Sequence, residues 1–231
     1  MTIFEKIFGI SSDEVKTRCV LLPCLNNEIL DVFGVKNFKR GKLYGCVNTK
    51  DFTLIYTGMG AAFVGDAVLY LKETQCEDVL LFGSCGSLGR LDIGALAAVY
   101  ECFAYDSFSV MINNSILDAQ LYYPDKNLLE AFLKTDKQSK ILKARCVTTA
   151  SLKMEEQYLK KWEEKCFDIV DMECSAFYSA AKSVNIRALS LFYISDIVSK
   201  KPFYESSSVQ DLMAKSKAIK NGIKMIKEFY A

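Results

Sequence analysis

The chain has 231 residues, of which 51% are hydrophobic and 25% are charged, and its formal net charge is +1. This size and balance are typical of one globular domain spanning residues 1–231, and the charge gives no reason to expect a nucleic-acid or membrane partner. The sequence has no histidine, and none of its nine cysteines belongs to a CxxC pair. These two features exclude the usual zinc sites and every Ser-His-Asp or Cys-His mechanism.

The N-terminal region lacks the basic, apolar and small-residue pattern of a secretory signal. No apolar run approaches the roughly 20 residues that span a bilayer, and cysteines without a disulfide framework are typical of a reducing compartment. We therefore expect a cytoplasmic location.

The first strand–helix unit begins with an apolar strand at residues 19–22 and continues, after a proline turn, into a helix. Asn26 or Asn27 is positioned to cap this helix. Glu28 falls in its first turn, where an acid complements the helix dipole.

Two strand–loop units follow. Residues 42–57 alternate in hydrophobicity and predict two strands, after which the motif TGMG, with Met59, precedes an amphipathic helix. Residues 79–82 are apolar throughout, which is typical of a parallel strand that is covered on both faces. We expect this strand to end in a Gly/Ser loop whose backbone amides suit a hydroxyl, phosphate or ribose oxygen. That loop contains Ser84, Cys85 and Gly86.

The middle of the chain predicts further alternation of strands and helices. In chain order we expect a strand at 95–103, an aromatic segment at 104–108, a loop or excursion from residue 111, a helix at 127–135, a strand at 143–151 and a helix at 154–165.

Residues 166–198 hold the most informative pattern. A short apolar run leads to Met172-Glu173 at the start of a helix of small residues, and a second apolar run leads to Ser195-Asp196. Each run thus ends beside a carboxylate. Because packed elements of this kind deliver their ends to one rim, the two acids indicate a site rather than a solvated surface.

Strands alternate with helices along the chain up to a long C-terminal amphipathic helix, which predicts an α/β layered domain. Four stretches resemble, in this order, the purine nucleoside phosphorylase and nucleosidase superfamily: YTGMGAAFVGDAVLYL, VLLFGSCGSLGRLDIG, IVDMECSAFYSAA and LFYISDIV. The resemblance covers residues 18–230. It implies a three-layer sandwich with a central mixed, mostly parallel sheet flanked by helices, and a homo-oligomer, either a dimer or a hexamer.

The resemblance also implies a role for each acid. Glu173, with Met172, matches the pair that packs under the ribose and binds its hydroxyl groups, where a carboxylate stabilises the positive charge that develops on the sugar. Asp196 matches the acid that protonates the imidazole ring of the purine. The other substrate-binding positions that the resemblance implies are Met59, Ser84, Cys85, Gly86, Leu152, Ser195 and Phe203.

The residue that stacks on the base stays open. Leu152 follows the strand after which the family has an aromatic residue, and Phe203 or Tyr204 is the alternative cover for the base or for the 5′ substituent. The exact nucleoside is therefore open as well.

The nucleophile, which is either water or phosphate, separates the branches of the superfamily. Its phosphorylases bind phosphate through arginines, whereas here Leu81 and Phe82 precede the GSCG loop and the N-terminal loop reads PCLNNE. Aligned with the methylthioadenosine/adenosylhomocysteine nucleosidases, Glu28 matches the glutamate that activates water. Lys200 and Lys201 keep a phosphate site open.

We therefore expect a purine nucleosidase that acts on 5′-methylthioadenosine or S-adenosylhomocysteine, as in methionine salvage. Asp196 would be its general acid and Glu28 its general base, and no metal or organic cofactor is implied. Two alternatives stay open: a phosphate-dependent purine nucleoside phosphorylase, and a nucleoside-binding homologue without catalysis.

Overall fold

A computed structural model of the chain describes residues 1–105, 121–138 and 140–231. Most of the predicted aromatic segment at 104–108, and the first part of the loop or excursion predicted from residue 111, lie outside the described residues.

Strands and helices alternate along the described chain. The strands are β1 (Arg18–Leu22), β2 (Lys39–Arg40), β3 (Gly45–Asn48), β4 (Thr53–Tyr56), β5 (Asp78–Ser87), β6 (Leu96–Tyr105), β7 (Leu121–Tyr122), β8 (Ile141–Thr149), β9 (Ile169–Asp171) and β10 (Arg187–Ile197). The helices are α1 (Ile3–Phe8), α2 (Asn27–Phe33), α3 (Ala61–Tyr70), α4 (Lys126–Thr135), α5 (Leu152–Glu164), α6 (Cys174–Val184) and α7 (Val209–Tyr230). Among the described residues, no helix combines the length and the apolarity needed to cross a membrane.

The ten described strands form one mixed sheet. Their order is β10-β6-β8-β9-β5-β1-β4-β3-β2, with β7 beside β6. Strand β10 also pairs with β5, so that β5, β10, β6, β8 and β9 close into a ring. The two longest ladders, β10 with β5 and β6 with β8, are parallel, and the antiparallel pairings are short.

Helices cover both faces of this sheet. In β1, Cys19 and Leu21 pack in the core that contains residues of α3 and α6, whereas Val20 and Leu22 pack in the core that contains residues of α2, α4 and α7. Successive side chains of a strand point to opposite faces, and an apolar run therefore fits a strand buried on both sides. The predicted α/β fold, with a central sheet flanked by helices, is confirmed.

Strand β5 continues through the segment that was predicted to be a Gly/Ser loop. Its partner β10 extends alongside it, so that Cys85 pairs with Ile194 and Gly86 pairs with Asp196. The register shifts between these pairs and leaves Ser195 as an extra residue, which is a β-bulge. Because the pairing uses backbone groups of this segment, they are not all free for a ligand as the loop prediction supposed.

Candidate active site

A cavity of about 290 Å³ lies where several strands end. Its walls come from the segment after β1, the end of β5, the start of α5, the turn after β9 and the end of β10. Such strand ends are the usual place for ligands in α/β proteins. The lining residues are Pro23, Cys24, Met59, Gly83, Ser84, Cys85, Gly86, Leu152, Glu155, Val170, Asp171, Met172, Glu173, Ser195, Asp196 and Phe203. The fold thus brings together every sequence-predicted site residue except Glu28.

Asp196 lies beside the bulge of β10, where it is 7% exposed. The hydroxyl oxygen of Ser195 lies 2.6 Å from Asp196 Oδ1 and 3.1 Å from the carbonyl oxygen of Cys85. Burial raises the pKa of Asp196, and the hydrogen bond from Ser195 and the charge of Lys215 oppose that rise. A buried carboxyl with a raised pKa can hold a proton and transfer it to a substrate.

Glu173 lies between β9 and α6 and is 6% exposed. Its Oε1 accepts a hydrogen bond of 2.7 Å from the backbone N–H of Gly60, which ties Glu173 to the TGMG segment beside Met59. Burial raises the pKa of Glu173, and the backbone N–H groups of Gly60 and Met172 oppose that rise. The carboxylate is thus held in a defined position on the cavity wall.

Asp171 holds the turn that carries Glu173. Its Oδ2 accepts hydrogen bonds from the backbone N–H groups of Glu173 at 3.1 Å and Cys174 at 2.6 Å, and its Oδ1 accepts one of 2.6 Å from Thr148 Oγ1. Burial raises the pKa of Asp171, and the hydrogen bonds from Thr148 and from the backbone N–H of Cys174 oppose that rise. Asp171 therefore positions Glu173, a role that the sequence pattern did not reveal.

The end of β5 supplies a closely packed wall. Cys85 is 4% exposed, and burial together with the charges of Asp171 and Asp196 raises the pKa of its thiol. A thiol that stays protonated is a poor nucleophile, so we interpret Cys85 as a packing residue. A Cβ atom at Gly86 would lie 3.4 Å from Asp196 Oδ2 and 3.0 Å from Val198 Cγ2, so a larger residue would crowd the acid.

Three apolar side chains form the rim of the cavity. Met59 is 63% exposed, Leu152 is 43% exposed and Phe203 is 56% exposed. The ring of Phe203 contacts that of Tyr204 edge-on, with centroids 5.4 Å apart. Exposed apolar groups at the mouth of a cavity suit the cover of a ligand or the contact of another subunit.

Glu28 is not among the lining residues, and this departs from the prediction that it activates water. Asn26 caps α2 by accepting a hydrogen bond of 2.7 Å from the backbone N–H of Ile29, so Glu28 lies in the first turn as expected. Its carboxylate, however, accepts a hydrogen bond from Ser216 Oγ and lies 3.6 Å from Lys220 Nζ. Both partners belong to α7, and the docking of α7 against α2 therefore engages the acid outside the cavity.

Glu155 is a lining residue that the sequence reasoning missed. It belongs to the first turn of α5, and burial, followed by the charge of Asp196, raises its pKa to about 7. The available signal was an acid in the first helical turn after a predicted strand, which is also the pattern of Glu28. Most such acids only complement the helix dipole, and the pattern alone therefore does not separate the two roles.

The described lining of the cavity contains carboxylates but no lysine or arginine. Its acids are Glu155, Asp171, Glu173 and Asp196. Lys200 and Lys201 are not among the lining residues, and Lys201 pairs with Asp211 at 2.9 Å. The described wall therefore favours neutral or hydrogen-bond-donating ligands over anions.

Three cysteines next to Asp171 lie close enough together to hold a metal ion. The sulfur atoms of Cys102, Cys146 and Cys174 lie within 4.8 Å of one another, and all three residues are fully buried. Burial raises the thiol pKa of Cys146 and of Cys174, and the charge of Asp171 raises both further. Because a metal would need thiolates here, we interpret the cluster as core packing.

A sequence profile of the phosphorylase superfamily matches residues 8–229, and the chain therefore belongs to this superfamily. Its members are nucleoside-processing enzymes, among them nucleosidases and phosphorylases. None of the curated proteins matches the chain.

Solved structures share the fold. Uridine phosphorylase from Vibrio fischeri ES114 is 20% identical with a TM-score of 0.75, and the match covers 94% of this chain and 91% of that chain. The 5′-methylthioadenosine/S-adenosyl homocysteine nucleosidase of Campylobacter jejuni is 15% identical with a TM-score of 0.73, covering 92% and 97%. The AMP nucleosidase of Bacteroides thetaiotaomicron is 17% identical with a TM-score of 0.73, covering 97% and 96%. At these identities the likeness concerns the fold alone.

Proposed function

We propose that the protein is a purine nucleosidase, which hydrolyses the N-glycosidic bond of a nucleoside of the 5′-methylthioadenosine or S-adenosylhomocysteine type. The observation that carries this proposal is one cavity lined by Asp196 and Glu173, with no lysine or arginine among its described lining residues. The resemblance of the motifs around both acids to nucleosidase motifs supports the same reading.

In this proposal Asp196 donates a proton to the imidazole ring of the purine. Protonation turns the base into a neutral leaving group, which lowers the barrier to breaking the bond between sugar and base. The raised pKa of Asp196 supports this role, because the acid form then persists at higher pH than it does for an exposed aspartate.

Glu173 would accept hydrogen bonds from the ribose hydroxyls. As the base departs, positive charge develops on the sugar, and a fixed carboxylate stabilises that charge more than it stabilises the uncharged ground state. The bond from Gly60 to Glu173 Oε1 supports this role, since it holds the acid before the substrate arrives.

Water is the nucleophile that the electrostatics favour, and a carboxylate of the cavity lining would accept the proton that the attacking water loses. A phosphate dianion would find no lysine or arginine among the described lining residues to balance its charge, and any ionised acid of the lining would repel it. A phosphorylase is therefore the less favoured branch, and Lys201 does not change this because it already pairs with Asp211.

A second candidate function, nucleoside binding without turnover, is favoured by the position of Glu28. The residue expected to activate water is engaged by Ser216 and Lys220 of α7 and does not line the cavity. If no acid of the cavity lining accepts the proton of the attacking water in place of Glu28, the protein would bind the nucleoside through the remaining residues and release it unchanged.

Turnover assays separate the three functions. Purified protein is incubated with 5′-methylthioadenosine and with adenosine, each with and without phosphate, and the products are resolved by chromatography. We expect free base and free sugar at the same rate in both buffers. Strict phosphate dependence with a sugar 1-phosphate product would establish a phosphorylase, and binding without any product would establish the silent homologue.

We also propose that the protein acts in the cytoplasm as a homo-oligomer, either a dimer or a hexamer. The exposed apolar residues Met59 and Phe203 at the rim, with Phe63 on α3, support a subunit contact beside the cavity. Light scattering on the purified protein tests this proposal, and a fully active monomer would contradict it.

A further inference from the structure

Glu155 lines the cavity and has no hydrogen-bond or ion-pair partner among the residues that the structure describes. Among the described residues, no hydrogen bond or ion pair involves its carboxylate, whereas the next residue, Glu156, pairs with Lys153 at 2.8 Å and is exposed. Glu155 lines the cavity together with Asp196, and Asp196 in its ionised form raises the pKa of Glu155. An acid in this position is available to a ligand that reaches Asp196.

The surroundings of Glu155 allow both its protonated and its ionised form to be populated near neutral pH. Burial, then Asp196, raises its pKa to about 7. The other titratable groups on the cavity walls are acids and thiols, namely Cys24, Cys85, Asp171 and Glu173. Two lysines are close to this part of the cavity but are engaged by other acids. Lys215 of α7 lowers the pKa of Asp196, and Lys153 of α5 forms an ion pair with Glu156.

The two states of a carboxyl group recognise different partners. A protonated carboxyl offers one O–H donor beside one carbonyl acceptor, whereas an ionised carboxylate only accepts. The adenine edge presents an amino donor beside a ring-nitrogen acceptor, and only the protonated form of the carboxyl can bond to both. The guanine edge presents two adjacent N–H donors, which pair with the ionised form.

We propose that Glu155 is a specificity-determining residue that recognises the edge of the base, binding an adenine-type edge when protonated and a guanine-type edge when ionised. The inference rests on the proposed function, because the role of Asp196 identifies this end of the cavity as the base-binding end. The preference for the base then depends on pH.

The test compares two C-nucleosides, 9-deazaadenosine and 9-deazaguanosine, whose carbon–carbon glycosidic bond is not cleaved. Their affinities for the wild-type protein are measured by calorimetry at about pH 6 and about pH 8, one unit on either side of the Glu155 pKa. We expect the ratio of adenine-type to guanine-type affinity to fall about tenfold or more as the pH rises, in step with the protonated fraction of Glu155. Both ligands present the same five-membered ring to Asp196, so the direct effect of Asp196 titration on binding is the same for both.

Two variants identify the responsible acid. Glu155→Gln carries a fixed donor beside an acceptor, so it should keep the adenine preference and hold the ratio within about twofold over this pH range. Glu156→Gln, the matched control on the same helix, should show the wild-type change. A constant ratio in the wild-type protein, or an unchanged pH response in Glu155→Gln, would overturn the proposal.

The readout is binding, so the outcome is independent of turnover. If the C-nucleosides bind with the expected pH response but no nucleoside is cleaved, the role of Glu155 stands and the nucleosidase proposal fails. If nucleosides are cleaved but the choice between adenine and guanine does not change with pH, the nucleosidase proposal stands and the role of Glu155 fails. If neither C-nucleoside binds, both proposals fail.

Discussion

Asp196 and Glu28 carry the same functional group, and each was predicted from the sequence to be catalytic, yet only Asp196 lies in the cavity. Asp196 is 7% exposed on a strand that pairs in parallel with β5. The side chain of Glu28 is 32% exposed in the first turn of a helix, where Ser216 and Lys220 engage it.

The difference lies in what determines the direction of each side chain. On β10, the hydrogen-bonded register against β5 sets the position of Asp196 relative to Gly86, and the bulge at Ser195 adjusts it locally. On α2, the position of Glu28 depends on the neighbouring helix α7, which supplies its partners Ser216 and Lys220. Local sequence therefore predicts acids at strand ends better than acids in first helical turns.

The largest effect should follow the loss of the acid at the end of β10. Asp196→Asn keeps the size of the side chain but no longer donates a proton to the base, so we expect kcat to fall about 100- to 10,000-fold. Binding of 9-deazaadenosine should stay within about threefold of wild type. Asp13→Asn, an exposed acid outside the cavity, is the matched control, and normal turnover in Asp196→Asn would remove Asp196 from the mechanism.

A smaller loss should follow at the second acid of the cavity. Glu173→Gln keeps an acceptor for the backbone N–H of Gly60 but loses the negative charge that would face the ribose in the proposed function. We expect kcat/KM to fall about 10- to 100-fold, the usual cost of losing a charge-assisted hydrogen bond. A thermal melt confirms that the variant folds. A loss below about twofold would show that Glu173 does not interact with the sugar as it reacts.

Glu28→Gln should have little effect on turnover. Its partners lie on α7, and a partly exposed pair of this kind contributes about 0–1 kcal/mol to stability. We expect kcat within about threefold of wild type and a slightly lower Tm, with Ser216→Ala as a companion that removes the same contact from α7. If kcat instead fell about 100-fold, Glu28 would be the general base that the sequence predicted, and the contrast with Asp196 would disappear.

The last expected effect concerns stability rather than turnover, and is a pH dependence at Glu155. The pKa of this acid rises from 4.5 to about 7 on folding, so the folded protein binds the proton more tightly than the unfolded chain does. Its contribution to stability is fully present below pH 4.5 and is lost as the pH rises through about 7. Glu155→Gln should therefore raise Tm relative to wild type more at about pH 8 than at about pH 5. Equal differences at both pH values would show that folding leaves the Glu155 pKa unchanged.

Much of the architecture could be predicted because its signals are local. The apolar run at residues 79–82 indicated a strand buried on both faces, and Asn26 indicated the start of α2. The extension of β5 through Cys85 and Gly86 could not be predicted, because Gly and Ser are also typical of turns and only the pairing with β10 holds them in a strand.

The site divides in the same way. Met172, Glu173, Ser195 and Asp196 follow apolar runs, and their meeting at one cavity follows from strand ends sharing an edge of the sheet. Glu155 lines the same cavity but could not be predicted from the sequence. The feature that marks it is its raised pKa, which depends on burial and on Asp196, and no local sequence pattern contains either.

The amino-acid sequence by itself predicts the superfamily, the layered α/β fold and the acids Glu173 and Asp196 as site residues, because periodicity and motif order are properties of the chain. Tertiary packing alone determines which other acids face the cavity. The docking of α7 engages Glu28 outside the cavity, and the start of α5 brings Glu155 into it. The physical reason is that burial and charge at a site depend on elements far apart in sequence, and these become neighbours only when the helices pack on the closed sheet.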